Sequence, residues 1–168
     1  MLDAVERMPS TTLLLIGDGP ERPAIEAEAR RRSIAVVATG TVPHGQLPDH
    51  LAAMDAAVVV AAHGETFHYS PLKLAEYLAA GLPVVAPRVA QVAERLHDGI
   101  DAILVPPGDP GALAGALRAL EGDPALRARL GEGARRAAEA NWSWDGIVRL
   151  VDDRLGGSAR PTERSRPR

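Results

Sequence analysis

The chain has 168 residues, 46% hydrophobic and 24% charged, enough for one domain with its own core and too few for two. It contains no cysteine, which excludes a disulfide framework and a cysteine-built zinc site. The net charge is −3; residues 156–168 hold four Arg and one Glu, which leaves −6 on residues 1–155, the wrong sign for a nucleic-acid-binding body.

"TTLLLIGDG" (11–19) is an apolar run ending in glycines, the pattern of a strand buried on both faces. "PERPAIEAEARRR" follows as a helix, with Pro20 suited to its first turn and a Glu-to-Arg gradient that runs with the helix dipole. Residues 34–40 read as a second strand, 48–54 as a short helix and 56–62 as a third strand. Residues 71–81 read as a helix ended by Gly81, 83–87 as a fourth strand, 89–96 as a helix and 102–107 as a short fifth strand. Helices over 109–122, with Asp109 as N-cap, 123–140 and 142–155 close the domain. Strand and helix alternate, so the expected class is α/β: a Rossmann-like parallel sheet over 1–155 with helices on both faces. Residues 156–168, rich in Gly, Pro, Ser and Arg, are expected to form a disordered basic tail.

In such a sheet, ligands bind beyond the carboxyl ends of the strands. That rule selects the loops "GDGP", "GTVPHG", "AHGETFHYSP" and "APRVAQ". Gly17 and Gly19 let a ligand approach the backbone, but only two glycines of a dinucleotide fingerprint are present, with Arg22 where the third would stand; a phosphate loop and a plain tight turn are equally good readings. Ser70 and Pro71 suit the start of a helix whose free N–H groups near Leu72, together with Lys73, would meet a phosphate. Glu76, one turn further along, could accept a pair of neighbouring hydroxyls. The competing account is an ordinary capped helix with exposed Lys73 and Glu76. His63, Glu65 and His68 carry metal-ligand atoms, but their loop-like spacing suits a polar substrate loop better than zinc, and no metal or cofactor is expected.

The ordered set "LLLIGDGP", "GTVPHGQLPDHLAAMDAAVVV", "SPLKLAEYLAAGLPVVAP", "LVPPGDPGALAGALRALEGDPALRARLGEGAR" and "WSW" resembles the C-terminal, nucleotide-sugar-binding domain of GT-B glycosyltransferases of the large retaining group 1 type. The resemblance implies that Glu76 holds the ribose hydroxyls and that Ser70, Pro71, Leu72 and Lys73 form the helix start that meets the diphosphate. It places Gly17 and Gly19 in the glycine loop facing the donor, and Val42 beside the base. His68 stands where the family often carries a glutamate that touches the donor sugar, and Glu65 is the candidate to replace it. The start, "MLDAVERMP", resembles the end of the helix after the family's first strand, so that strand and its Arg/Lys pair, which neutralise the leaving diphosphate, are expected to be missing.

The implied substrate is a nucleotide-diphosphate sugar of UDP or GDP type. The implied partner is an acceptor-binding N-terminal domain, in the same gene or in trans; neither nucleic acid nor a transmembrane segment is expected. With no signal-peptide pattern and no apolar run of about 20 residues, the expected location is cytoplasmic. The isolated chain is expected to be inactive and, with an open edge or an uncovered apolar face, to self-associate or be marginally stable. The alternative is a non-catalytic nucleotide-sugar-binding or partner module.

Overall fold

The computed structural model describes residues 1–61 and 72–155. In chain order the elements are α1 (Leu2–Val5), β1 (Leu13–Leu15), α2 (Arg22–Arg31), β2 (Val36–Ala38), a 3-10 turn (His44–Gln46), α3 (Leu47–Ala52) and β3 (Ala57–Val58). Then come α4 (Leu72–Ala79), β4 (Val84–Pro87), α5 (Ala90–Arg95), β5 (Ile103–Val105), α6 (Pro110–Gly122), α7 (Pro124–Ala137), a π-helical turn (Ala138–Trp142) and α8 (Trp144–Arg154). The alternation expected from the sequence is present. The strands are shorter than their apolar runs, because only part of each run finds a ladder partner. The first long helix starts at Arg22 rather than Pro20, and Pro23 occupies its first turn.

All ladder pairs are parallel. β1 pairs with β2 in register Leu13 to Val36, while β3, β4 and β5 form a second sheet with β4 in the middle. Among the described residues, no ladder hydrogen bond joins the two sheets, so β1 and β3 each keep one unpaired edge.

β4 shows why its sequence is unbroken "VVAP". All four residues are buried, and strand alternation sends Val84 and Ala86 to one core cluster and Val85 to the other. The first cluster gathers Leu74 and Leu78 of α4, Val92 of α5 and Leu104. The second gathers Ala4 and Met8 near α1, Leu113, Leu117 and Leu120 of α6, and Leu130 of α7. Helices thus cover both faces of the three-stranded sheet. The β1–β2 pair is covered less well, so the burial on both faces expected of 11–19 is not met: β1 is half-buried along its length, without the helix cover that β4 has on each side. Leu13, Leu14, Leu15 and Val36 are only half-buried and belong to neither cluster, and Val37 is 53% exposed; Ile16, just past β1, packs against the first cluster.

The last three helices carry side-chain N-caps. Asp109 and Asp123 accept the N–H groups of Ala112 and Leu126, each at 2.9 Å, at the starts of α6 and α7. Three arginines of α7 cap exposed carbonyls elsewhere. Arg127 donates to Leu120 at the end of α6, Arg129 to Gly99, and Arg135 to Ala79 at the end of α4. The π-helical turn stops at Ser143, whose Oγ accepts the Gly146 N–H at 3.0 Å and begins α8. The Arg95 guanidinium lies 5.2 Å from the Trp142 ring centroid.

Arg32, at the end of α2, draws distant acids together. It binds Asp3 and Glu6 around α1 and, at 2.6 Å, Glu28 on its own helix. The Arg31 guanidinium, followed by that of Arg32, holds the Glu28 carboxyl at about 2, well below the ordinary carboxylate range; Asp3 is also lowered, first by its bond to Arg32. Both acids have depressed folded values, so their contribution is complete above the unfolded carboxylate range and is lost as pH falls through the folded value. The melting temperature is therefore expected to fall modestly between about pH 4.5 and about pH 2, less so in added salt because these groups are exposed. Thermal melts across that window, with Arg32→Ala showing a flatter curve, check this. An unchanged slope in Arg32→Ala would assign the acid sensitivity to other groups.

Candidate functional site

The turns after β1 and β2 meet directly. The Gly17 N–H donates to the Gly40 carbonyl at 3.0 Å in an isolated antiparallel bridge at the carboxyl ends of the two strands. Gly40 sits at φ +73°, a conformation that side chains disfavour, so glycine is required for this turn. Thr39 Oγ1 donates to the same Gly40 carbonyl at 2.9 Å, and Asp18 Oδ1 accepts the Gly19 N–H at 2.8 Å. The result is a pair of joined turns in which Gly19 is exposed and Gly40 is buried. Val42 follows, half-buried, before the 3-10 turn.

Arg22 braces this junction from the start of α2. Its Nε donates to Glu26 at 2.8 Å, its Nη1 lies 3.8 Å from Asp18, and its Nη2 reaches the Ala38 carbonyl at 3.5 Å. Sequence reasoning noted Arg22 only as a residue standing in place of a glycine. Its spacing of four from both Asp18 and Glu26 was the available signal.

On the other side of the fold's midpoint, α4 is seated by Leu74 and Leu78, both 0% exposed. Their spacing of four turns one face of the helix inward and leaves Leu72 and Lys73 exposed and Glu76 half-buried. Lys73 and Glu76, three apart, share a side of the helix. Among the described residues, neither forms an ion pair or side-chain hydrogen bond. The Tyr77 hydroxyl is pushed above its ordinary value, first by burial and then by the Glu76 charge. Gly81, at φ +70°, ends the segment as expected.

The structure thus joins Gly17 and Gly19 to the turn leading to Val42, and places Leu72, Lys73 and Glu76 together on α4. No described hydrogen bond connects the two groups. Glu65, His68, Ser70 and Pro71, with His63, lie outside the described residues. After β4, Arg88 is tied down rather than free: it binds Asp98 at 2.5 Å and the Leu104 carbonyl at 3.3 Å. The groove along α7 past Gly81, Arg127, Gly131 and Arg135 lies away from the strand ends, and its Arg127 and Arg135 are occupied in capping carbonyls.

A family model described as glycosyl transferases group 1 matches residues 1–123. D-inositol 3-phosphate glycosyltransferase of Xylanimonas cellulosilytica is 35% identical over 152 residues, covering 86% of this chain and 35% of that protein. Sucrose-phosphate synthase from Thermosynechococcus elongatus superposes with a TM-score of 0.78 at 26% identity, over 94% of this chain and 42% of that one. The Anabaena protein Alr3699/HepE, solved in complex with UDP, has the same fold, with a TM-score of 0.78 at 22% identity over 93% of this chain and 44% of that one. The chain spans about a third of the length of the curated relatives it matches first.

Proposed function

The chain belongs to the glycosyl transferases of group 1, and from that premise we propose that it binds the donor, a nucleotide-diphosphate sugar of UDP or GDP type. The observation that carries this reading is the Gly17–Gly40 junction, where two glycine turns meet at the carboxyl ends of parallel strands, with Gly19 exposed, Gly17 half-buried and Gly40 buried. α4 supplies the complementary chemistry, Lys73 for a phosphate and Glu76 for a pair of ribose hydroxyls. UDP in the similarly folded Anabaena protein supports the choice of nucleotide.

In this reading the sugar is transferred with retention to an acceptor held by a further domain, in the same polypeptide or in trans. Glu65 and His68 would face the donor sugar, and Ser70 and Pro71 would begin the phosphate-facing helix. The residues named here bind and orient the donor.

The test is calorimetric titration with UDP, GDP and their sugars. Glu76→Ala removes a charged hydrogen-bond acceptor, a loss of roughly 1.5–3 kcal/mol, and is expected to weaken nucleotide-sugar affinity by about tenfold to a hundredfold. Free base or orthophosphate should be unaffected by that substitution. Absence of binding at millimolar nucleotide sugar, or binding that ignores Glu76→Ala, would overturn the assignment.

A further inference from the structure

We propose that Arg22 is a positioning residue that locks the turn after β1 and the turn after β2 into a single nucleotide-facing unit. The inference rests on the donor-binding reading above and adds a residue outside the nucleotide-contacting set.

Arg22 is the first residue of α2, yet part of its guanidinium faces the β2 side. Nη2 reaches the carbonyl of Ala38, the last residue of β2. A Cβ built on Gly40 would lie 2.9 Å from Nη1, so the guanidinium occupies the space that any side chain at position 40 would need. Nε is fixed at 2.8 Å by Glu26, and Asp18 stands 3.8 Å from Nη1 within the glycine turn itself. The Arg22 side chain is 31% exposed. One planar group therefore contacts α2, the first turn, the end of β2 and the second turn.

The alternative role for a cation at this place is to bind phosphate directly. The charge bookkeeping opposes it: Arg22 already faces two carboxylates, and its pKa is raised, chiefly by the bond to Glu26. Its charge is balanced within the protein. What remains is geometry. The Gly17–Gly40 bond is a single hydrogen bond between the two turns, and the guanidinium adds further contacts across them. A ligand that meets both turns would find them already ordered, which lowers the conformational cost of binding.

Lysine cannot reproduce this, because one nitrogen cannot meet Glu26, Ala38 and the Gly40 turn together. Gly40→Ala attacks the same contact from the other side, since its Cβ would displace Nη1. In an Arg22→Ala background that collision disappears, and only the strain of alanine at φ +73° remains. The two substitutions should therefore be non-additive in nucleotide affinity.

The experiment measures UDP and GDP affinity by calorimetry, and amide exchange at Gly17, Gly19 and Gly40 by NMR, for wild type, Arg22→Ala, Arg22→Lys, Gly40→Ala and the Arg22→Ala/Gly40→Ala double variant. Arg22→Ala is expected to weaken binding about tenfold and to speed exchange at Gly17, whose N–H makes the bond to Gly40, with the amide of Val85 in β4 unchanged. Arg22→Lys should recover only part of both effects, and the double variant should lose less affinity than the product of the singles. A structural role confined to α2 would not produce coupling to Gly40. If wild type binds and Glu76→Ala weakens it while Arg22→Ala binds like wild type, or the two substitutions multiply independently, the Arg22 inference is wrong and the donor reading stands. If wild type binds neither nucleotide, both are wrong. Should Arg22→Ala fail to fold, unchanged affinity and unchanged Gly17 exchange in Arg22→Lys overturn the inference.

Discussion

Leu74→Ala is expected to destabilise the domain by about 2–5 kcal/mol, a large part of the roughly 5–15 kcal/mol that holds a domain of this size together. Leu74 is 0% exposed and sits in the core cluster with Leu78, Val84 and Ala86, so truncation leaves a cavity between α4 and the central strand. No water reaches it, and β4 offers little room to collapse, since Val84, Val85 and Ala86 are themselves 0% exposed. In the proposed donor site, Leu74 lies between Lys73 and Glu76 and helps to hold α4 in place. Denaturant titration should show a lower midpoint with an unchanged slope. Leu74→Met, which keeps most of the volume, should cost less than about 1.5 kcal/mol. A loss under about 1 kcal/mol for Leu74→Ala would mean that α4 is not packed as described.

A second large effect is expected from Gly133→Ala, and the same substitution at Gly115 should act in the opposite direction. Both glycines lie within long helices, where Ala is favoured by roughly 1 kcal/mol over Gly. At Gly115, on the exposed side of α6, an added Cβ meets nothing within 4 Å, so Gly115→Ala should stabilise by about 0.5–1 kcal/mol. At Gly133 the Cβ would lie 2.0 Å from the Ile100 carbonyl oxygen. That neighbour is backbone, in the loop where buried Asp101 accepts the His97 N–H at 2.6 Å, so it cannot rotate away. Overpacking of this kind costs about 1–3 kcal/mol or more, exceeding the helix gain. Gly131 makes the same kind of approach, its added Cβ 2.4 Å from the Gly81 carbonyl oxygen at the end of α4. Thermal melts of Gly115→Ala and Gly133→Ala should therefore move in opposite directions. Movement in the same direction would refute the close α7 packing.

Glycines 131 and 133 mark where local reading stopped. In "RLGEGARR" they look like weak points in a helix, since propensity sees only the cost of glycine. Their purpose is visible only when α7 lies against the loop at Ile100 and the turn at Gly81, segments distant in the chain. The arginines of the same helix behave likewise: as a sequence they are a basic surface, and in the fold Arg127, Arg129 and Arg135 cap carbonyls of three other segments.

The binding elements divide in the same way. The glycine turn, the exposure expected of Lys73 and the inward face of α4 follow from spacing, because turn geometry and helical periodicity are local. The meeting of Gly17 with Gly40, and the brace from Arg22, depend on strands 20 residues apart lying parallel, which no local rule specifies.

What the sequence determined alone was the order and type of the elements, the helix cap at Asp109 and the family resemblance carried by its ordered motifs. These depend on neighbours within a few residues, or on patterns preserved along the chain. The tertiary structure decided which strands pair. The alternation predicts a parallel sheet, and parallel pairing is what forms, but among the described residues it is divided between β1–β2 and β3–β4–β5. Hydrogen-bonded pairing requires two edges side by side at the right separation, and that separation is set by how the helices pack on both faces, a property of the assembled fold rather than of any one segment.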